Sequence, residues 1–173
     1  MNTNDQAIAE FLKERSASHF SILYDTHTPS LIRTALYLAR NDRMKADDLV
    51  QETWITAVEQ IAQFRQESSL KTWLTGILIN KFRQSLRYGK TTDDLEEVRH
   101  HADSNIDHDL SMDLREVLMR LPDGYKEILL LHDMEGFKHR EIAGILSINE
   151  GTSKSQLFEA RKAMRLMLQG YYP

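Results

Sequence analysis

Cysteine is absent from this sequence of 173 residues, which excludes disulfide bonds, thiolate zinc sites and cysteine nucleophiles. Glycine and proline are scarce, at seven and three residues, and strand signals are almost absent with them. No apolar run approaches the length of a membrane span, and the first residues, MNTNDQAIAEFLKERS, are too charged for a secretory signal. We therefore expect a cytoplasmic protein without membrane insertion.

Motifs of the common enzyme classes are missing as well. The sequence contains no nucleotide-binding loop, no zinc-protease spacing and no serine-nucleophile elbow. Three of the seven histidines, His100, His101 and His108, lie close together, but scattered histidines in a polar segment are usually solvated. We predict no catalytic residue, no cofactor and no metal site.

Charge is distributed unevenly along the chain, although its net value is only −4. Residues 61–90 hold six cations and one acid, a net of +5, and residues 138–173 hold six cations and three acids, a net of +3. Residues 91–116 hold nine acids and two cations, a net of −7. Two basic modules separated by an acidic segment indicate local contacts with charged partners, which the average charge conceals.

Apolar residues recur at helical spacing through most of the chain, which predicts helices almost everywhere. Thr28-Pro29 resembles a capping residue followed by proline at a first helical position, so it predicts the end of one helix and the start of another. Asn41-Asp42 and the polar loop Gln66 to Ser69 predict two further breaks between helices.

The fold class predicted from these patterns is all-α, with two small helical domains. We place the first domain at 1–88 and the second at 109–173, where helical patterns of apolar residues resume. Residues 89–108 between them are polar, acidic and poor in large apolar side chains, which predicts a flexible linker.

The C-terminal end carries the most informative pattern. A short helical pattern from His139 to Leu146 is followed by a break at Ser147-Ile148-Asn149 and then by a longer basic helical pattern. This layout is typical of a helix-turn-helix that places its second helix in a DNA major groove. An ordinary surface helix is the alternative. The candidate DNA contacts on the second helix are Thr152, Lys154, Ser155, Gln156, Phe158, Glu159, Arg161 and Lys162.

The segment ADDLVQETW carries a pair of acids. Asp48 and Glu52 lie one helical turn apart on the same face, with Gln51 beside them. No histidine stands at a ligand spacing, which argues against a metal site. Spacing alone favours a solvated acidic face over a protein-docking face.

Residues 64–87 combine aromatic and basic side chains. Aromatic rings with nearby cations are typical of single-stranded nucleic-acid binding, but Trp73 and Phe82 also fit the apolar stripe of a core helix. We expect Trp73 in the core. The polar loop Gln66 to Ser69 is freer to contact a partner.

Five segments together resemble bacterial sigma factors of the extracytoplasmic-function class, the smallest two-domain type. The resemblance spans about residues 20–168. The segments occur in the family's order, with the acidic segment between the third and the fourth: FSILYDTHTPSL, ADDLVQETW, FRQESSLKTWL, LPDGYKEILLLHDMEGF and EIAGILSINEGTSKS.

The resemblance implies a protein that binds core RNA polymerase, at the clamp of its largest subunit and at the flap, and directs it to promoter DNA. It also implies an anti-sigma factor as a partner. The implied clamp-binding residues are Asp48, Leu49, Gln51 and Glu52, which reverses the interpretation from spacing. The implied contacts to the minus-ten element are Gln66, Glu67, Ser68, Ser69, Lys71, Asn80, Lys81, Arg83 and Arg87. The helix-turn-helix would read the minus-thirty-five element.

The sequence departs from the family pattern within the helix-turn-helix. Ser153 stands where valine is usual, so we expect weaker packing there. Gln156 and Glu159 stand where arginine is frequent, so we expect weaker phosphate binding and an altered base preference. Two other functions stay open: a helix-turn-helix regulator that acts without polymerase, and a sigma-like decoy for an anti-sigma protein.

Overall fold

The computed structural model describes Glu10, residues 16–89 and residues 112–170, and within these residues the protein is helical without any strand. The predicted linker lies outside the described residues except for Gly89, and so do its three histidines and the expected domain start at 109. The helices are α1 Ala17–Leu38, α2 Arg43–Gln60, a 3-10 turn Ile61–Gln63, α3 Leu70–Gly89, α4 Met112–Arg120, α5 Asp123–Leu129 with a π turn Leu130–Met134, α6 His139–Leu146 and α7 Glu150–Leu168.

Helices α1, α2 and α3 pack against one another as the N-terminal domain. The predicted break before α2 is confirmed, because Arg40 and Asn41 adopt left-handed φ angles of 54° and 68° and the Asp42 side chain caps α2. The break before α3 is confirmed too, since the Ser69 hydroxyl accepts a hydrogen bond from the Thr72 backbone N–H at 3.1 Å. Local capping chemistry therefore sets these helix boundaries.

The prediction that Thr28-Pro29 separates two helices is wrong, because α1 continues through Pro29. Proline lacks the N–H that would bond one turn back, so the helix loses one hydrogen bond there. Packing compensates for that loss. Leu23 and Leu31 are both buried in the same core, and the Trp54 indole N–H of α2 donates to the Thr28 hydroxyl at 3.0 Å.

The C-terminal domain consists of α4 to α7, with α7 packed against α4, α5 and α6. Ser147 ends α6 in a left-handed conformation with a φ of 55°, which produces the sharp break that the sequence predicts. Ile142 and Leu157 fill the angle between the two helices and are almost fully buried. The predicted helix-turn-helix geometry is therefore present.

Ser153 is fully buried where α7 meets α6, and it is satisfied by a hydrogen bond. Its hydroxyl lies 2.9 Å from Nδ1 of His139, the first residue of α6. The His139 ring in turn stacks on His132 with ring centroids 4.7 Å apart. A polar tether between the two helices thus stands at the position where the sequence led us to expect only weakened packing.

We predict that His139→Ala and Ser153→Ala each destabilise the protein by about 1 to 2 kcal/mol, because each leaves a partner of the tether unpaired. The double variant should be no worse than the worse single variant, which gives a coupling of about 1 kcal/mol. Urea unfolding of the four proteins measures this. The control is Ser155→Ala, since the exposed Ser155 hydroxyl donates to the Thr152 carbonyl of its own helix. Strictly additive effects would contradict the tether.

Candidate nucleic-acid interface

Helix α3 separates apolar from basic side chains. Leu74 and Leu78 are fully buried on one side, and Phe82 is 6% exposed. The predicted DNA-binding residues of this helix fall into two groups. Asn80 and Arg87 are exposed, whereas Lys71, Lys81 and Arg83 are partly buried.

The loop before α3 is exposed along its whole length. Gln66, Glu67, Ser68 and Ser69 are all exposed, and Gln66 adopts a left-handed φ of 58°. Beneath the loop, Phe64 and Trp73 pack with ring centroids 5.1 Å apart. Phe64 is buried and Trp73 is partly buried against the core, so the core interpretation of Trp73 is confirmed.

Helix α2 presents the acidic face that its spacing predicts. Asp48, Gln51 and Glu52 are exposed, and the Glu52 carboxylate lies 3.8 Å from the Lys81 ammonium of α3. Leu49, which was predicted to bind a partner with them, is only 7% exposed, so most of its side chain packs in the core. Because a helix turns by about 100° per residue, Leu49 faces the core while Asp48, Gln51 and Glu52 face solvent.

An apolar groove of about 650 Å³ lies between α1 and α2, next to this acidic face. Its lining includes Tyr24, Trp54 and the exposed Ile55, together with Asp47 and Gln51. The groove combines aromatic surface with carboxylate and amide groups, which is the composition of a protein-binding site.

Helix α7 exposes the predicted major-groove contacts. Lys154, Ser155, Phe158, Glu159, Arg161 and Lys162 are exposed, and Thr152 and Gln156 are partly so. Several of the cations already have acidic partners. Lys154 lies 2.7 Å from Glu150, and Lys162 lies 4.0 Å from Glu159.

Arg161 is held by Asp133 through two hydrogen bonds, of 3.0 Å from Nε and 2.6 Å from Nη2. These bonds raise the pKa of Arg161, while those from Arg161 and His132 outweigh the burial of Asp133 and lower its pKa below the usual range. The guanidinium is therefore fixed in orientation.

A buried carboxylate joins the two domains. The Glu135 side chain is 2% exposed and accepts hydrogen bonds from Ser30 at 2.7 Å and from Arg33 at 2.9 Å. The Lys71 ammonium lies 2.8 Å from the same carboxylate and also donates to the Glu135 carbonyl. Burial opposes ionisation of Glu135, but these donors outweigh it and hold its pKa below the usual range.

A second carboxylate crosses the same boundary. The Glu127 side chain is 4% exposed and binds Arg83 through Nη2 at 2.6 Å and Nε at 3.3 Å. Arg83 also donates from Nη1 to the Leu146 carbonyl at 3.1 Å. Thr72 adds a hydrogen bond to Glu141 at 3.0 Å. Donors of the N-terminal domain thus meet acceptors of the C-terminal domain.

Sequence reasoning missed Arg33, Glu127 and Glu135. Arg33 and Glu135 are separated by 102 residues, and no local pattern pairs groups at that distance. The described residues hold no cluster of three or more metal-binding side chains, and none of their helices has the length and apolarity to cross a bilayer.

Both halves of the chain match models of known protein families. Residues 23–92 match sigma-70 region 2, and residues 111–164 match sigma-70 region 4. The ECF RNA polymerase sigma factor SigM of Mycobacterium tuberculosis is 30% identical over 154 residues, which cover 88% of this chain and 78% of SigM. RNA polymerase sigma factor SigV of Bacillus subtilis is 33% identical over 145 residues, covering 82% of this chain and 86% of SigV.

Solved structures show the same architecture. The sigma factor RpoE of Bartonella quintana, in a co-crystal with the anti-sigma factor NepR, is 29% identical with a TM-score of 0.72, covering 89% of this chain and 98% of that one. CnrH, in complex with the cytosolic domain of CnrY, shares the fold with a TM-score of 0.73 at 18% identity, covering 99% of this chain and 100% of that one. The chain therefore belongs to the sigma-70 family, in its extracytoplasmic-function class, and is a sigma factor that directs transcription initiation.

Proposed function

We propose that this sigma factor docks on core RNA polymerase through α2 and contacts promoter DNA through α3 and α7. The observation that supports this proposal best is the presence of three chemically distinct surfaces: the acidic face beside the groove, the polar loop with the basic face of α3, and the exposed side of α7. The protein performs no chemistry itself. Its place is the cytoplasm, where polymerase and DNA are found.

Polymerase binding is assigned to Asp48, Gln51 and Glu52, which point away from the core that Leu49 joins. The neighbouring groove offers apolar contact area, and the carboxylates offer ion pairs to a basic partner surface. An interface of this kind gains affinity from the buried apolar centre and orientation from the charged rim. The partner is the polymerase clamp; the flap contact belongs to the C-terminal domain.

Contact with the minus-ten element is assigned to the loop Gln66 to Ser69 and to the α3 residues Lys71, Asn80, Lys81, Arg83 and Arg87. The exposed loop supplies amide, carboxylate and hydroxyl groups that hydrogen-bond base edges, and the helix supplies cations for phosphates. Taking a base out of the duplex costs a few kcal/mol, which contacts of this kind offset.

Contact with the minus-thirty-five element is assigned to α7. The exposed ring of Phe158, at 67% accessibility, suits apolar contact with a thymine methyl group. Arg161 suits a phosphate or a guanine once Asp133 releases its guanidinium. Thr152, Lys154, Ser155, Gln156, Glu159 and Lys162 complete the surface. An anti-sigma factor is the expected regulatory partner, since the similar RpoE of Bartonella quintana was solved with NepR.

We predict that Asp48→Ala with Glu52→Ala weakens binding to core polymerase by about tenfold or more, because the docking face loses both carboxylates. Binding to duplex DNA should be retained. Run-off transcription with purified core polymerase on a genomic promoter pool, with affinity measured by fluorescence anisotropy, tests both. The control pair is Glu116→Ala with Asp25→Ala, two exposed acids elsewhere on the surface.

Two results would oppose the proposal. If the wild-type protein gives no start site with core polymerase, and yet binds duplex DNA, the chain acts as a regulator without polymerase. If it binds an anti-sigma protein but neither polymerase nor DNA, the chain is a decoy.

We predict that Glu159→Arg tightens binding of a random-sequence DNA duplex on the order of fivefold at low salt, because an acid is replaced by a phosphate ligand and Lys162 is released. The slope of log affinity against log salt should steepen by about one. Glu116→Arg makes the same charge change on α4, where it should leave the slope unchanged. If both variants changed the affinity and the salt slope equally, Glu159 would not lie at the DNA interface.

A further inference from the structure

The cations that face the C-terminal domain are held by carboxylates that water does not reach. Glu135 and Glu127 are 2% and 4% exposed, whereas their partners Arg33, Lys71 and Arg83 are 38%, 33% and 32% exposed. Each cation therefore keeps an accessible side, while each carboxylate depends on it for solvation. Two of these cations, Lys71 and Arg83, are also the ones assigned to promoter DNA.

Arg83 shows why the two uses exclude one another. All three of its nitrogens donate to the C-terminal domain, Nε and Nη2 to Glu127 and Nη1 to the Leu146 carbonyl. A DNA phosphate is recognised by the same planar fork of donors that binds a carboxylate. Arg83 does not present this fork to a phosphate while Glu127 occupies it.

Lys71 is similarly engaged. Its ammonium meets the Glu135 carboxylate at 2.8 Å and the Glu135 carbonyl at 3.0 Å, and it lies 4.9 Å from the centre of the Phe137 ring. Glu135 also occupies the donors of Ser30 and Arg33, which nothing in the sequence connected with DNA. Ser30, Arg33 and Lys71 thus form one anion site that an intramolecular carboxylate fills.

The contact between the domains is suited to exchange. The carboxylates of Glu127 and Glu135 are buried at this contact, and burial opposes the ionisation of Glu135, although its donors hold its pKa below the usual range. Removing such charges from water offsets much of what their ion pairs gain. A phosphate that replaces a buried carboxylate returns that carboxylate to water, and the hydration that the carboxylate regains offsets part of the ion pair that is lost.

We propose that Glu127 and Glu135 form an ionic latch that holds the two domains together and occupies phosphate-binding cations of the N-terminal domain. When the domains separate, Arg83 and the site of Ser30, Arg33 and Lys71 take DNA phosphates in place of these carboxylates. The role of the latch in promoter binding rests on the proposed function. The contact between the domains is independent of that function, because the structure shows its ion pairs directly.

The absence of native cysteine makes a direct test possible, because spin labels attach only where cysteine is introduced. Met44→Cys on α2 and Leu168→Cys on α7 are exposed label sites, at 80% and 48%. Distances between the labels in the full chain come from pulsed electron resonance. The latch variant is Glu127→Gln with Glu135→Gln. We expect one narrow distance distribution without the latch substitutions and a shift of most molecules to other, longer distances with them.

DNA binding is measured on the same proteins with a fluorescein-labelled random-sequence duplex. The latch variant should bind about tenfold more tightly than the control Glu116→Gln with Asp25→Asn, which removes the same charge from exposed positions. Circular dichroism confirms that each variant is folded. Comparison with the control separates release of the cations from a general loss of negative charge.

A charge exchange tests the contact itself. Arg83→Glu alone and Glu127→Arg alone place like charges together and should lengthen the distance between the labels, whereas the combined variant should restore the distance of the chain without these substitutions. Unchanged distances in the latch variant overturn the proposal. So does a lengthened distance with the DNA affinity of the control. If the distances and duplex affinities change as expected but neither wild type nor latch variant starts transcription with core polymerase, the proposed function fails and the latch stands.

Discussion

A carboxylate removed from water keeps its charge only when other donors replace its hydration, and this requirement fixes how the two domains meet. Glu135 lies at the turn after α5 and is nearly inaccessible, and its replacement donors are Ser30, Arg33 and Lys71 of the other domain. Glu127 repeats the arrangement with Arg83. Both groups lie where α1 and α3 pack against α5 and α6, so this packing supplies the donors that the two carboxylates need.

The same pairing explains how a chain with a net charge of −4 belongs to a family that works on DNA. Its cations are not permanently displayed. Lys71 and Arg83 of α3 are paired with acids of the C-terminal domain. On α7, Lys154 is paired with Glu150 of the same helix, and Arg161 is paired with Asp133 of the π turn after α5. Charge that DNA could use is therefore available in some arrangements of the molecule and masked in others.

Features with a local cause were predictable from the sequence, and features with a distant cause were not. The break at Asn41-Asp42 and the left-handed turn at Ser147 are set by the backbone conformation of these residues themselves, so they could be predicted from short stretches of sequence. The helix break predicted at Pro29 is absent because tertiary packing carries α1 past this residue. Leu49 was assigned to a partner on family resemblance, although its place on the helix turns it inward. The pairing of Arg33 with Glu135 has no sequence signal, and the assigned DNA and polymerase contacts stay predictions.

Weak individual contacts suit a protein that acts only within an assembly. On α7 an acid lies beside each of Lys154, Arg161 and Lys162. The helix holds four cations and two acids, a net charge of +2, so it alone has little excess charge to hold duplex DNA. Once polymerase holds both domains on one promoter, the second DNA contact becomes intramolecular. The high effective concentration of the DNA near α7 then compensates for the weak affinity of this helix. Specific base contacts then matter more than phosphate attraction, because the excess charge that would bind any sequence is small. Paired cations and a masked basic helix thus favour promoter binding by the assembled enzyme over binding of unrelated DNA by the free sigma factor.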